Sequence, residues 1–271
     1  MSWDSEIVAW MDWARSAGMG EGTIDMRRRY IGNLGKCVAV GPWDVTLDDL
    51  AGYLARPDWM PATRRSAQDC LRAFYGWGAL TGRIPRDPTV LLPPVRVPAR
   101  VANPTPRRTI SAALERADER TTVMLLLARL AGLRRAEIAC LHSDDIIRDT
   151  HPYLRVLGKG GKTRLVPIHP ELLELLVRLP DGWLFPSRKG GHLKAGTVGQ
   201  LLSEVLGPGW TGHTLRHRFG VDAYAVRRDI LAVKELLGHA SLRATLLYTQ
   251  VPDGEREAAV ASLQLESRLA S

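Results

Sequence analysis

Between residues 85 and 106 the chain reads PRDPTVLLPPVRVPARVANPTP, with prolines at 85, 88, 93, 94, 98, 104 and 106. Proline fixes its own backbone angle and has no N–H to donate, so a stretch this rich in it cannot continue a helix and runs extended instead. The chain is thereby divided. The expected organisation is a helical domain over 1–90, a linker over 91–106 and a second domain over 107–271. Within a total of 271 residues, either piece is long enough to bury a core of its own.

Before the linker, apolar residues recur at helical spacing in four short runs. Residues 2–17 place Ile7, Trp10, Met11 and Ala14 on one face. Thr23 opens TIDMRRRYIGNLGKC, where Met26, Tyr30 and Leu34 repeat while Arg27, Arg28 and Arg29 fan around the other side. Thr46 opens TLDDLAGYLAR, with Asp48 and Asp49 where the helix dipole favours acids. Thr63 opens TRRSAQDCLRAFYGWGALTG, whose stripe is Ala67, Cys70, Leu71, Phe74 and Trp77. Most of the eight tryptophans fall in this part, as expected for a small all-α core.

After the linker, helices are expected over 111–117 and 121–130, the second apolar nearly all round and hence buried. Gly132 ends it, and a short helix follows from Arg134 to Leu141. Residues 153–157 and 163–168 alternate like strands and flank GKGG, a hairpin turn. Helices return over 170–179, 197–206 and from Thr214 onward, and the chain closes on GEREAAVASLQLESRLA, an amphipathic tail. The fold class is therefore mainly α with a small β-sheet in the second domain: an all-α N-terminal domain followed by an α+β domain.

The net charge of +8 favours a polyanionic partner. The excess is uneven, with 13 Lys/Arg against 11 Asp/Glu up to residue 106 and 24 against 18 after it. Cys37, Cys70 and Cys140 are widely spaced, without a CxxC, as suits reduced thiols in cytoplasm. No signal peptide and no apolar run long enough for a membrane span are visible, so a soluble cytoplasmic chain is expected.

The chemistry-bearing residues cluster late. HTLRHRFG places His213 and Arg216 three apart on one helix face, and His239 and Tyr248 follow. Arginine forks onto phosphate oxygens, histidine hydrogen-bonds or moves protons, and tyrosine can attack as a covalent nucleophile, so the set suits phosphoryl transfer. AGLRRAEIACL adds Arg134 and, one helical turn on, Glu137. GKGGKTRLVPI puts Lys159 at the hairpin tip, without the spacing of a nucleotide-binding P-loop. His213 and His217 are four apart, as metal ligands can be, but no Glu fills an HExxH slot and no third ligand is evident.

Together these motifs closely resemble the tyrosine recombinases, the phage-integrase and Xer-type family. The match is in AGLRRAEIACL, GKGGKTRLVPI, HTLRH, LGH and the tyrosine nine residues beyond His239. The resemblance implies Arg134, Lys159, His213, Arg216, His239 and Tyr248 as catalytic residues, with Glu137 supporting. Tyr248 would attack the scissile phosphate to give a 3′-phosphotyrosyl link and a free 5′-hydroxyl. Arg134 and Arg216 would neutralise the developing charge, His213 would take the tyrosine proton, Lys159 would protonate the leaving oxygen and His239 would bond the phosphate. No cofactor and no metal are implied.

The N-terminal part more weakly resembles the family's core-binding domain, with Asp87-Pro88 in place of Asn-Pro. Arg64 and Arg65, and less directly Arg27 and Arg28, are then DNA contacts that fix position rather than sequence. The layout resembles two-domain members that lack an arm-site-binding domain. The implied partners are double-stranded DNA with paired core-type sites and three further copies of the chain, exchanging strands through a Holliday junction, as in integrases of mobile elements. The tail would dock on a neighbour. Three alternatives stay open: a type IB topoisomerase-like relaxing enzyme, an inactive DNA-binding regulator, and a metal-dependent nuclease. Target site, direction of exchange and any accessory protein are not legible.

Overall fold

A computed structural model describes residues 1–98, 102–158, 161–239 and 241–246. The chain forms two compact units, residues 1–99 and 100–271.

The first unit is four helices: α1 (Trp3–Ser16), α2 (Glu21–Cys37), α3 (Leu47–Leu54) and α4 (Pro61–Leu80). Their starts follow local chemistry. The Ser2 hydroxyl accepts from the Ser5 N–H ahead of α1. Thr46 and Asp49 form a reciprocal capping box on α3, as the sequence leads one to expect. Thr23 and Thr63, expected as caps, instead lie inside their helices. Gly20 precedes α2, and Met60 precedes α4, whose first residue is Pro61, a position where the missing N–H costs nothing. Trp10, Ile24, Ile31, Leu34, Leu71, Phe74 and Tyr75 are fully buried. Each such side chain contributes about 1.5–3 kcal/mol through burial. The Trp43 ring stacks on Phe74 at 5.0 Å between centroids and lies against Gly78, where a Cβ would sit 2.5 Å from it. Part of the proline-rich stretch also belongs to this core. Thr89 and Leu92 are buried, Asp87 accepts from both the N–H and the hydroxyl of Thr89, and Gln68 donates to the Pro93 carbonyl.

The second unit runs through α5 (Arg107–Arg116), α6 (Glu119–Leu130), α7 (Arg135–Ala139), β1 (Ile146–Ile147), β2 (Tyr153–Leu157), β3 (Thr163–Pro167), α8 (Pro170–Leu176), α9 (Ala195–Leu206), α10 (Gly212–Arg227) and α11 (Ile230–Leu237). The hairpin is antiparallel, with Tyr153 opposite Pro167 and Leu157 opposite Thr163. The two-residue strand β1, too short to read from the sequence, pairs with β2 and completes a three-stranded sheet. Alternation turns Leu154, Val156 and Val166 inward onto α6 and its neighbours, and Arg164 shares the face of Val166. Helix α6 is buried along most of its length through Val123, Met124, Leu125, Leu127 and Ala128. Thr105 anchors the entry to the unit: its N–H donates to the Thr214 carbonyl at 3.1 Å, and the two hydroxyls pair at 2.7 Å. The first turn of α10 is thereby fixed in place. Tyr248 and the amphipathic tail lie outside the described residues.

Candidate active site

Glu137 is the centre of the site. It sits in the short helix α7, its side chain 4% exposed, and its carboxylate is held by three arginines from three elements. Arg134, at the N-cap of α7, donates its backbone N–H to Oε2 at 2.8 Å and its Nη1 to Oε1 at 2.7 Å. Arg164 on β3 grips the same carboxylate with both terminal nitrogens, at 2.9 and 2.8 Å. Arg216 on α10 stands 3.7 Å from Oε2. Burial pushes the Glu137 carboxyl up, but the Arg164 guanidinium, the Arg134 N–H and the surrounding positive charge outweigh it and hold the group down at about 2. Glu137 is therefore ionised throughout the physiological range.

The same arginines are also tied to the end of α11. Arg164 Nε donates to the Leu236 carbonyl at 3.0 Å, Arg216 Nη2 to the Leu237 carbonyl, and Arg134 Nη2 to the Gly238 carbonyl at 3.3 Å. Three successive carbonyls at a helix C-terminus, which have no partner within the helix, thus each receive an arginine donor. Arg216 also donates to the Gly132 carbonyl at 2.5 Å. Gly132 has φ +62°, and a Cβ there would lie 2.5 Å from Phe219, so glycine is required.

Gly238 closes α11 in the left-handed conformation, with φ +59°. The Gly238 and His239 N–H groups turn back onto Glu235 and Lys234. This reversal carries His239 to the arginine cluster. Its Nδ1 pairs with the buried Thr245 hydroxyl at 3.0 Å. Burial, and then the charges of Arg216, Arg134 and Arg164, hold the imidazole down at about 4, so it is neutral at pH 7.

His213 opens α10 behind a capping box of Thr211 and Thr214. It lines a cleft of about 500 Å³ together with Arg134, Arg135, Ser203 and Arg216. His217, one turn further and buried, meets it Nε2 to Nε2 at 2.9 Å with the rings perpendicular.

Of the six residues expected to be catalytic, Arg134, His213, Arg216 and His239 gather around Glu137 and this cleft, while Lys159 and Tyr248 lie outside the described residues. Arg164 and Thr245 were not singled out from the sequence, and His217 was weighed there only as a metal ligand. Arg164 had a signal, since strand alternation puts it on the inward face with Val166; Thr245 had none. Among the described residues no group of three or more His, Cys, Asp or Glu is placed to hold a metal ion.

The residues expected to meet DNA in the first unit fare unevenly. Arg64 is turned inward and donates to the carbonyls of Leu54, Arg56 and Trp59 at 2.7, 3.1 and 3.4 Å. That gives it a bracing role between α3 and α4 instead of the exposed donor expected. Arg65 is exposed and pairs with Asp69, Arg28 pairs with Asp25, and Arg27 reaches the Met19 sulfur.

Arginines pinned by a buried carboxylate beside histidines, on a mainly helical frame, are a donor set that suits an oxyanion. Comparison with known proteins gives the class its name. Residues 105–255 match the Phage integrase family. The chain is similar to tyrosine recombinase XerC of Neisseria meningitidis serogroup C, strain FAM18, 30% identical over 86% of this chain and 87% of that protein. It is also similar to XerC of Mesorhizobium japonicum, 33% identical over 64% of this chain, a match spanning 60% of that relative's length. Its fold is similar to a lambda integrase tetramer bound to a Holliday junction, with a TM-score of 0.72 at 19% identity, over 89% of this chain and 78% of that one. The chain belongs to the phage integrase family and is a tyrosine-type site-specific recombinase. No helix among the described residues is long and apolar enough to cross a membrane.

Proposed function

We propose that this chain cleaves and rejoins double-stranded DNA at paired core-type sites, through a phosphotyrosyl intermediate on Tyr248. The observation that carries this reading is the set of three arginines locked by Glu137, two of which line the His213 cleft. Guanidinium groups fixed before substrate arrives stabilise charge that develops on a phosphorane without a reorganisation cost. Arg134 and Arg216 take the non-bridging oxygens and Arg164 holds the clasp together. The neutral His239 adds a hydrogen bond. Tyr248, ordinarily protonated at neutral pH, passes its proton to His213 as it attacks, and Lys159 protonates the departing 5′-oxygen. The ester energy is retained in the phosphotyrosine, so the free 5′-hydroxyl of a second strand can displace the tyrosine. Four protomers on two duplexes, exchanging strands through a Holliday junction, complete the reaction in the cytoplasm. The first unit contributes phosphate contacts from Arg65, Arg27 and Arg28.

The test is a nicked duplex substrate that traps the cleaved state, incubated with the full chain in excess chelator. A covalent protein–DNA adduct on a denaturing gel, lost in Tyr248→Phe, is the expected result. Cleavage that requires added metal and leaves no adduct would overturn the reading and point to a nuclease.

A further inference from the structure

We propose that His217 is a positioning residue for His213, binding its Nε2 atom and so fixing which nitrogen of that ring exchanges protons. The proposal rests on the reading that His213 accepts the tyrosine proton. Two imidazoles whose Nε2 atoms lie 2.9 Å apart share one hydrogen bond, so one ring supplies the N–H and the other the lone pair. His213 lies at the cleft, and His217 is buried beneath it on the same helix, one turn along. Occupation of Nε2 leaves Nδ1 as the nitrogen through which His213 meets the reacting groups.

For Nδ1 to accept a proton it must carry none, which places the His213 proton on Nε2, donated to His217. His217 then carries its own proton on Nδ1. When Tyr248 attacks phosphorus, its proton moves to Nδ1 of His213. His213 becomes an imidazolium, and the Nε2–H···Nε2 bond becomes charge-assisted, so His217 stabilises the cation without changing its own protonation. On resealing, the proton returns to the tyrosine oxygen. Among the described residues, the charged and titratable groups near the pair are Arg216 on α10, Arg134, Arg135 and Glu137 at α7, Arg164 on β3 and His239 after α11. This surrounding positive charge disfavours an imidazolium, so a neutral acceptor beneath His213 offsets part of that cost.

The experiment compares the full chain with His217→Leu and His217→Gln. In His217→Leu the acceptor is lost. The cleavage rate should fall about ten-fold, with DNA binding retained, less than the roughly 10²–10⁴-fold that the general base itself contributes. The acidic limb of the pH–rate profile should move to lower pH, because the His213 cation has lost its stabilising partner. His217→Gln offers an amide oxygen to Nε2 and should recover both rate and profile. Equal losses in the two variants, or a profile that does not move, would overturn the proposal. Should His217→Leu fail to fold, heteronuclear NMR of the labelled wild-type chain reads the tautomers directly. His213 protonated at Nε2 and His217 at Nδ1 support the assignment, and the reverse pair overturns it. A wild-type chain that forms no adduct fails the underlying reading instead, and the tautomer measurement stays independent of that result.

Discussion

At the residue scale, Glu137 is the group on which most depends. Its carboxyl is held at about 2 against an ordinary value of 4.5. As pH falls, the unfolded chain therefore takes up this proton before the folded one does. The stabilisation, roughly 3 kcal/mol from a shift of this size, is fully present above about pH 4.5 and is lost as pH falls toward 2. Glu137→Gln should remove that contribution and leave three arginines without their counter-charge. We expect a loss of about 3–5 kcal/mol at pH 7, the usual cost of breaking a buried ion pair. The difference in stability between wild type and variant, measured by denaturant titration, should shrink between pH 5 and pH 3. A constant difference would mean that the carboxylate charge is not what binds the cluster. Tyr248→Phe should abolish covalent adduct formation while leaving DNA binding nearly intact, since only the nucleophilic oxygen is lost. An adduct still forming in that variant would remove Tyr248 from its role.

At the element scale, the site is made of ends: the N-cap of α7, the first turn of α10, the last carbonyls of α11 and an inward position on β3. Gly132 shows how tightly these ends are fitted. Gly132→Ala must adopt φ +62° and displace Phe219, and it disturbs the carbonyl that Arg216 binds. A destabilisation of about 2 kcal/mol or more is expected, read as a lowered melting temperature together with slower cleavage. Much of this architecture was legible in the sequence. The apolar periodicity of α1 and α4, the Thr46 cap and the hairpin each depend on interactions a few residues apart, and these a sequence displays directly. Where interactions reach across the fold, the sequence was silent or misleading. Arg64 reads as a surface base, yet the carbonyls it braces are set by how α3 meets α4. Thr23 and Thr63 are good cap residues, yet α2 begins after Gly20, and α4 begins after Met60 with Pro61 as its first residue. The partnership of Arg164 with Glu137 joins residues 27 apart, and no local pattern encodes it.

At the scale of the whole molecule, the basic excess predicts DNA binding that weakens steeply with salt. The two arginines at the start of α4 should now behave differently. Arg65→Ala should reduce the slope of log K against log salt by about 1 if its guanidinium meets a phosphate. Arg64→Ala should leave the slope unchanged and lower the melting temperature, because three backbone carbonyls lose their donor. Truncation after Pro252 should spare DNA binding by a monomer but abolish recombination, measured with paired-site substrates. Synaptic tetramers still forming without residues 253–271 would refute docking of the tail on a neighbour. The arginine clasp on Leu236, Leu237 and Gly238 has a consequence for the nucleophile as well. It fastens the chain nine residues before Tyr248, counting from His239. Nine residues span at most about 30 Å, whatever path they take. On the proposed reading, a phosphate seated on Arg134 and Arg216 would have the tyrosine of its own protomer within about that reach.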